Sequence, residues 1–366
     1  MRWFYRNFAR PILFRQNPEL VHDRTLHALG FISRHEWARR GLSMLCGSGL
    51  LPVECWGLKF PNPVGLAAGM DKVAEAVPAW EAMGFGHVEL GGVTQHGQPG
   101  NDRPRVFRAV ADEAIVNRMG FNNPGAEEVA KKLRAWRDAG RWPQHPVGMN
   151  LGKSKVTPLE EAAEDYCYSY KLVRDLVDFV VVNVSSPNTP NLRKLQDKAA
   201  LDEILSALQE ENGKGTTKPI LVKVAPDLTF EALDEIVGLL EARAVAGLVA
   251  TNTTIQRPST ADAKARSVYE EAGGLSGRPL RARSTEVIAH LYRQTAGRVP
   301  IVGVGGIFSV EDAWEKVCAG ATLLQIYTGL VYEGPWLVRD LVSGLKSRLE
   351  VEGVRSLHEL VGSSHR

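Results

Sequence analysis

The sequence has few of the features that mark disulfide-stabilised, metal-binding or membrane-spanning proteins. Its four cysteines (Cys46, Cys55, Cys167 and Cys318) are scattered, form no Cys-x-x-Cys pair and have no histidine nearby at ligand spacing. We therefore expect no zinc or other metal site, and reduced thiols in a cytosol. No apolar run reaches the roughly 18 residues of a spanning helix. Because the N-terminus also lacks a signal peptide's apolar stretch, we predict a soluble or peripheral protein.

Net charge is also nearly absent. Lys plus Arg number 44 against 42 for Asp plus Glu, so no overall basic field points to nucleic acid. Hydrophobic residues make up 44% of the chain and charged residues 23%, which is ordinary globular composition and excludes a disordered chain. The length of 366 residues allows two or three domains or one large α/β barrel.

The first forty residues differ from the rest. They contain eight arginines, no lysine and three acidic residues, with seven Trp, Tyr or Phe side chains interleaved. Asn17-Pro18-Glu19 predicts a helix start, and Leu20, Leu26, Leu29 and Ile32 follow at helical spacing. Arginines and aromatics on short helices suit a membrane interface with anionic lipid. The alternative is a pair of helices packed on the main domain with a solvated basic face, and periodicity alone does not decide between the two.

From residue 60 onward, short apolar runs alternate with amphipathic helical patterns. Predicted helices lie near residues 73–83, 125–138, 160–177, 199–211, 230–243, 281–296, 310–319 and 335–350. The predicted strands are Pro63–Ala67, His87–Gly91, Pro146–Asn150, Phe179–Val184, Pro219–Val224, Gly247–Ala250, Pro300–Val304 and Leu323–Tyr327. Their nearly continuous apolar character indicates strands that are buried on both faces. Eight such units predict a closed (β/α)8 TIM barrel, and a doubly wound open sheet is the competing fold.

Two connections are longer than ordinary barrel loops. The first runs from Thr94 to Asn123, and its alternating segments RVFRAV and AIVNRM predict a hairpin. The second runs from Thr251 to Pro279. Because barrels keep their active sites at the carboxyl ends of the strands, both insertions are candidate lids or walls.

Polar residues stand where a barrel would place its chemistry. The strand ends carry Lys72, Asn150, Asn183, Ser186, Lys223, Thr251, Asn252 and Thr253. A lysine between valines, as at Lys223, needs an anion or a strong acceptor nearby. Pairing with Asp227 at the barrel mouth is the alternative to a ligand role. The asparagines offer uncharged donors and acceptors, which suit a flat heterocycle edged with C=O and N–H groups.

The loop after the seventh strand is glycine-rich. Gly303-Val304-Gly305-Gly306 leads into a helix, where barrels commonly bind a phosphate, and the run from Gly273 to Gly277 adds further glycines. A phosphate at one side and a polar heterocycle over the barrel mouth indicate flavin mononucleotide (FMN). No strand end offers a histidine base, and Ser186 is the hydroxyl best placed to take a proton, although Ser185 and Ser186 could instead shape a turn.

At these residues the sequence resembles the class 2, quinone-dependent dihydroorotate dehydrogenases. The shared motifs are GLAAGMDK (65–72), QPGNDRPRVFR (98–108), NRMGFNN (117–123), GMNLGKSK (148–155), VNVSSPNTPNLR (182–193), VKVAPD (222–227), ATNTT (250–254), GGLSGRPL (273–280), VGVGGI (302–307) and QIYTG (325–329). They span the whole barrel in order. The resemblance implies oxidation of dihydroorotate to orotate in pyrimidine synthesis, with FMN as hydride acceptor and a membrane quinone as electron acceptor.

The resemblance also implies roles for individual residues. Ser186 looks like the base, and His22 and Arg108 resemble residues of a quinone tunnel. The substrate residues would be Lys72, Asn117, Arg118, Met119, Gly120, Phe121, Asn183, Asn188, Asn252 and Thr253. The FMN residues would be Ala68, Gly69, Met70, Asp71, Lys72, Gly92, Asn150, Asn183, Lys223, Thr251, Gly277, Gly306, Tyr327 and Thr328.

Two features bear on the class of enzyme. Related enzymes that use other acceptors carry cysteine in place of Ser186, so the serine and the N-terminal extension both point to quinone. Gly92 departs from the pattern, because some members have threonine there. The competing functions are another flavin barrel oxidase, such as a hydroxyacid oxidase, and a barrel that binds a phosphorylated ligand without turnover.

The resemblance further predicts how the chain is organised. Residues 1–45 would form a helical segment that docks quinone and membrane, and residues 46–366 the FMN-binding catalytic barrel. We expect a monomer that acts as a peripheral protein on the cytoplasmic face of the cell membrane, with no nucleic acid partner.

Overall fold

The structure is a computed structural model that describes residues 2–366, and at its centre is a closed barrel of eight parallel strands. The strands within the described residues are β1 Val53–Cys55, β2 Leu58–Phe60, β3 Val64–Leu66, β4 His87–Val93, β5 His96–Gln98, β6 Val106–Ala109, β7 Ala114–Asn117, β8 Asn123–Gly125, β9 Val147–Leu151, β10 Phe179–Asn183, β11 Ile220–Val224, β12 Gly247–Ala250, β13 Gly274–Gly277, β14 Ile301–Val304 and β15 Ala321–Ile326. Barrel order is β3-β4-β9-β10-β11-β12-β14-β15, and β15 pairs back with β3.

The barrel confirms the predicted (β/α)8 fold and excludes the open sheet. Each of the eight predicted strands is present, with bounds within two residues of the prediction. The continuous apolar runs form strands because both faces are covered: β10 and β11 are buried at every position. Their inward side chains fill the barrel and their outward side chains pack on the helices.

Helices follow the barrel strands in the expected order. The fifteen helices are α1 Arg2–Phe4, α2 Arg10–Phe14, α3 Pro18–Arg34, α4 Glu36–Cys46, α5 Val77–Ala82, α6 Ala126–Asp138, α7 Ala162–Val173, α8 Lys198–Asn212, α9 Phe230–Ala242, α10 Ala263–Tyr269, α11 Arg281–Gln294, α12 Val310–Ala319, α13 Thr328–Glu333, α14 Leu337–Glu352 and α15 Leu357–Leu360. The helix predicted from residue 73 begins later, at Val77. The buried carboxylate of Asp71 accepts the backbone N–H groups of Glu75 and Ala76 and holds the preceding segment as a loop.

The two long insertions form one small sheet over the barrel mouth. The predicted hairpin is present, because β6 pairs antiparallel with β7. No strand was predicted in the glycine-rich run at 273–277, but β13 pairs there with β7 as the third strand of that sheet. Asn123 and Pro124 lie in β8, which pairs antiparallel with β5.

The N-terminal helices pack on the same end of the barrel. Leu29 and Ser33 of α3 are buried, and the Ser33 hydroxyl accepts the Ala79 N–H of α5 at 3.1 Å. The first residues are also anchored, since Arg2 and Arg6 both pair with Glu333, which is fully buried. Within residues 2–366, no helix combines the length and the hydropathy that crossing a bilayer would require.

Candidate active site

A large cavity opens at the carboxyl ends of the barrel strands. The β6–β7–β13 sheet and α3 form its outer wall. The strand ends contribute its polar lining and the outer wall its apolar lining. This is the end of a barrel at which active sites are found.

The cavity brings together nearly all of the residues that sequence predicted. It is lined by Ser186, by His22 and Arg108, by the substrate candidates Lys72, Asn117, Met119, Gly120, Phe121, Asn183, Asn188, Asn252 and Thr253, and by the flavin candidates Ala68, Gly69, Gly92, Asn150, Lys223, Thr251, Gly277, Gly306, Tyr327 and Thr328. These residues come from all eight barrel strands and from both insertions. Their convergence follows from the closure of the barrel.

Three predicted residues are not among those lining this cavity in the described chain. The Arg118 guanidinium contacts Glu271 at 2.5 Å and lies over the Phe107 ring. Asp71 accepts an N–H from the Trp80 indole at 3.1 Å, so its side chain stabilises the loop before α5. Met70 is buried in the apolar core beside that loop.

A buried carboxylate at the barrel axis was missed by sequence reasoning. Glu89 of β4 is fully buried, and its two oxygens accept the side-chain amides of Asn150 at 2.6 Å and Gln325 at 2.7 Å. The Lys223 ammonium lies 3.6 Å from Glu89 Oε1. The alternative partner suggested for Lys223, Asp227, is wrong. A single acid inside the apolar run HVELGG was the available signal.

The asparagines form a connected chain of hydrogen bonds from this glutamate toward the cavity. The Asn183 amide donates to Asn150 Oδ1 at 2.9 Å, and the Asn252 amide donates to Asn183 Oδ1 at 3.2 Å and to the Ser185 hydroxyl at 2.9 Å. Each amide is therefore held in one orientation by its neighbour. Preorganised polar groups of this kind recognise a ligand without paying for reorganisation when it binds.

Ser186 is the next residue in the sequence after Ser185, whose hydroxyl accepts the Asn252 amide. Its side chain is buried at the cavity wall, and its hydroxyl accepts the Asn188 backbone N–H at 3.3 Å. The Asn188 amide in turn donates to Asn117 Oδ1 at 3.1 Å across the cavity. The loop after β10 and the strand β7 thus meet beside the Ser186 hydroxyl.

Lys72 supplies a cation to the same region. Burial, together with the nearby charge of Arg105, lowers the pKa of Lys72 to about 8, although Glu19 and other acids oppose the shift. A buried ammonium with a lowered pKa is stabilised by any carboxylate that binds beside it. The site therefore combines one cation with uncharged amides.

The glycine-rich side of the cavity is shaped for close approach of a ligand to the backbone. Gly277 and Gly306 have φ values of 104° and 71°, which side chains other than glycine rarely adopt. A Cβ at Gly306 would lie 2.8 Å from the Arg281 backbone nitrogen, so a side chain has no room there. Two lining acceptors, Asn188 Oδ1 and Gln325 Oε1, find no hydrogen-bond partner within residues 2–366. Glycine backbone and unpartnered acceptors that line one cavity fit a flavin nucleotide.

The outer part of the cavity is an apolar throat between α3 and the small sheet. Sequence reasoning placed His22 and Arg108 here and missed the apolar residues Val106, Ile115 and Val331. The Arg108 guanidinium donates to the Gln16 carbonyl at 3.1 Å, and burial lowers its pKa. Burial and the charge of Lys72 lower the pKa of His22 to about 3, so this imidazole is neutral.

Comparison with known proteins identifies the relatives of the chain. The family model described as dihydroorotate dehydrogenase matches residues 50–349. The dihydroorotate dehydrogenase (quinone) of Gloeobacter violaceus is 54% identical over 97% of both chains, and that of Nostoc punctiforme is 51% identical over 98% of this chain and 97% of its own. A crystal structure of DHODH from Eimeria tenella in complex with ferulenol superposes with a TM-score of 0.84 at 37% identity, covering 95% of this chain and 96% of its own.

Proposed function

The chain belongs to the dihydroorotate dehydrogenase family, and we propose how its residues carry out the family's reaction. It is a quinone-dependent oxidoreductase that oxidises dihydroorotate to orotate in pyrimidine biosynthesis with a flavin cofactor. The observation that carries the proposal is that one cavity is lined by the glycines Gly277 and Gly306, by the Lys72 cation and by Ser186.

FMN is the flavin that this site is proposed to bind. Gly277, Gly306 and Thr328 would hold its phosphate, and Asn150, Asn183 and Lys223 would contact its ring. When bound, FMN accepts the hydride from C6 of the substrate. The 3.6 Å pair with Glu89 fixes the Lys223 ammonium at the barrel axis, where its charge favours an electron-rich ring.

Lys72 and the asparagines are proposed to orient the substrate. The Lys72 ammonium would neutralise the carboxylate of dihydroorotate. The side-chain amides of Asn117, Asn188 and Asn252 would form hydrogen bonds with the C=O and N–H groups of its ring. The hydrogen bonds among these amides fix which atom each one presents. Binding by one cation and several amides favours a planar, singly charged acid.

Ser186 is proposed to remove the C5 proton of dihydroorotate. Its side chain is buried at the cavity wall, and it directly follows Ser185, whose hydroxyl accepts the Asn252 amide at the end of the amide chain. A serine is a weak base and passes the proton onward, so its placement matters more than its basicity.

The Ser186→Ala variant tests this role. We expect full flavin content and a rate of flavin reduction by dihydroorotate at least about 100-fold lower, measured anaerobically by stopped flow. The matched control is Ser276→Ala, which removes another hydroxyl of the cavity wall and is expected to change the rate of reduction far less. Reduction of the Ser186→Ala variant at the unaltered rate would remove Ser186 as the base.

The apolar throat is proposed as the quinone site and the N-terminal helices as the membrane surface. Trp3, Phe8 and Trp37 expose 68%, 52% and 71% of their area, and basic residues surround them. Aromatic and basic side chains together favour the headgroup layer of a bilayer. This proposal makes residues 1–45 the docking segment and residues 46–366 the catalytic barrel.

The remaining proposals concern the state of the protein in the cell. We propose a monomer that is bound peripherally to the cytoplasmic face of the cell membrane. That arrangement suits the geometry, because α3 of the proposed docking segment contributes Pro18, Glu19 and His22 to the lining of the cavity.

A further inference from the structure

Arg193 belongs to the motif VNVSSPNTPNLR, yet the proposed function gives it no role. It lies in a 3₁₀ turn, Leu192–Gln196, in the connection after β10. Its guanidinium donates in three directions: Nε to the Ser185 carbonyl at 3.1 Å, Nη2 to the Thr253 carbonyl at 3.1 Å, and Nη1 to Asp227 Oδ2 at 2.8 Å. One side chain therefore ties together the ends of three neighbouring barrel strands, β10, β11 and β12.

Two of these acceptors flank residues with proposed roles in the reaction. Ser185 directly precedes Ser186, and Thr253 is a proposed substrate residue. The Ser185 hydroxyl donates to Asn183 Oδ1 at 3.0 Å, so the side chain of Ser185 faces the amide chain while its carbonyl faces Arg193. The backbone that carries the Ser186 hydroxyl is thus held from both sides.

The third acceptor, Asp227, shows that the role of Arg193 concerns geometry rather than charge. Its carboxylate also accepts the Thr254 hydroxyl and the Ile255 N–H at 3.1 Å, so it is itself fixed in place. The guanidinium and the carboxylate form an ion pair with no net charge. A planar guanidinium can serve three divergent acceptors at fixed angles, which a lysine ammonium on a flexible stem cannot reproduce.

We propose that Arg193 is a positioning residue for proton abstraction. By bonding the Ser185 and Thr253 carbonyls, it fixes the Ser186 hydroxyl relative to the substrate held at Thr253. The inference rests on the proposed function of Ser186 as the base. An error of about 1 Å in the placement of a reacting group can lower a rate by about 100-fold.

The test compares flavin reduction by dihydroorotate in the holoenzyme and in five variants under anaerobic stopped flow. The variants are Arg193→Met, Arg193→Lys, Ser186→Ala, the double variant of Arg193→Met with Ser186→Ala, and Arg243→Met. Arg243 is the matched control, because it forms a two-bond pair with Asp202 on the outer helices, at 2.6 and 2.7 Å. Flavin content and the Kd for orotate, measured by the change in the flavin spectrum, report whether each variant keeps its binding site.

We expect Arg193→Met to reduce its flavin about 100-fold more slowly, with the orotate Kd within about threefold of that of the wild type. Arg193→Lys is expected to be at least about tenfold slow, because a lysine cannot reach all three acceptors. In the Ser186→Ala background, Arg193→Met should cause no further slowing, since no base is left to position. Arg243→Met should reduce its flavin at the wild-type rate.

Several results would overturn the inference. They are an unaltered rate in Arg193→Met, a wild-type rate in Arg193→Lys, and full additivity of Arg193→Met with Ser186→Ala. If Ser186→Ala is slow and any of these results is found, the positioning role of Arg193 is refuted, whereas the role of Ser186 as the base is not. A fast Ser186→Ala variant would refute the proposed base, and the inference with it.

Discussion

At the scale of single residues, Gly92 shows how a small departure from a family pattern is accommodated. A Cβ at this position would lie 2.7 Å from Cε1 of Phe121, and a Cβ at Gly152 would lie 2.8 Å from Cε2 of the same ring. Phe121 therefore occupies a slot between two glycines at the ends of β4 and β9. A threonine could not be inserted here unless Phe121 moved.

Gly92→Ser is expected to displace Phe121 and the substrate loop around it. We predict a KM for dihydroorotate about 10-fold or more higher, with flavin content retained, in steady-state assays. Adding Phe121→Leu should restore part of the lost affinity by vacating the slot. Gly238→Ser is the control, because its Cβ would meet nothing within 4 Å, and an unchanged KM in Gly92→Ser would contradict this packing argument.

Lys72 makes binding of the acidic ligand depend on pH. Because burial lowers its pKa to about 8, the ammonium is lost as the pH rises through that value, and its attraction for a carboxylate is lost with it. We expect the Kd for orotate to rise above pH 8, approaching tenfold per pH unit, in spectral titrations. Lys72→Gln should bind weakly with little pH dependence. A flat Kd from pH 7 to 9.5 in the wild type would exclude the role of Lys72.

At the scale of elements, the N-terminal helices both carry the proposed membrane-docking surface and stabilise the fold through buried ion pairs. Deleting them would leave the buried Glu333 without Arg2 and Arg6, and would separate Arg105 from Glu19, to which it donates at 2.7 Å. Breaking buried pairs in this way is strongly destabilising. Substitutions of exposed side chains therefore test membrane docking more cleanly than a deletion does.

The docking surface is tested by a triple variant that combines Trp3→Gln, Phe8→Gln and Trp37→Gln. We expect this variant to bind anionic lipid vesicles at least about tenfold more weakly than the wild type, as measured by sedimentation. Flavin reduction by dihydroorotate should stay within about twofold, because these side chains lie outside the cavity lining. Val156→Gln combined with Val351→Gln is the control, since both valines are exposed far from the N-terminus. Vesicle binding that is equal to that of the wild type would refute the docking surface.

Elements that follow from local pattern were predictable, and those that depend on distant pairing were not. The strands and helices of the barrel and the hairpin β6–β7 follow from periodicity over a few residues. The strand β13 was missed because its glycines suggest a loop, and only pairing with β7, more than 150 positions away, makes it a strand. The late start of α5 was missed because the carboxylate of Asp71 captures two backbone N–H groups in three dimensions.

At the scale of the whole molecule, closure of the barrel turns eight separate strand ends into one site. Sequence reasoning predicted which polar residues end the strands, but not which of them touch. Glu89 and Lys223 are 134 positions apart in the sequence, and a single sequence does not reveal how β4 and β11 are placed relative to each other. The pairing of this buried glutamate with Lys223 was therefore accessible only from the three-dimensional structure.

The cavity has a polar part and an apolar part. The amides and Ser186 come from the strand ends, the apolar throat lies beside α3, and Lys72 lies close enough to α3 for its charge to lower the pKa of His22. A flavin held by the strand-end residues would supply the electron transfer between the two parts. The central claim is that one cavity joins dihydroorotate on one side to a quinone on the other.

The most direct test of this claim is the visible spectrum of the purified protein under anaerobic conditions, recorded before and after dihydroorotate is added and again after a short-chain quinone is added. We predict a yellow protein whose flavin absorbance bleaches with dihydroorotate and returns with quinone. A flavin absorbance that does not change with dihydroorotate would contradict the account.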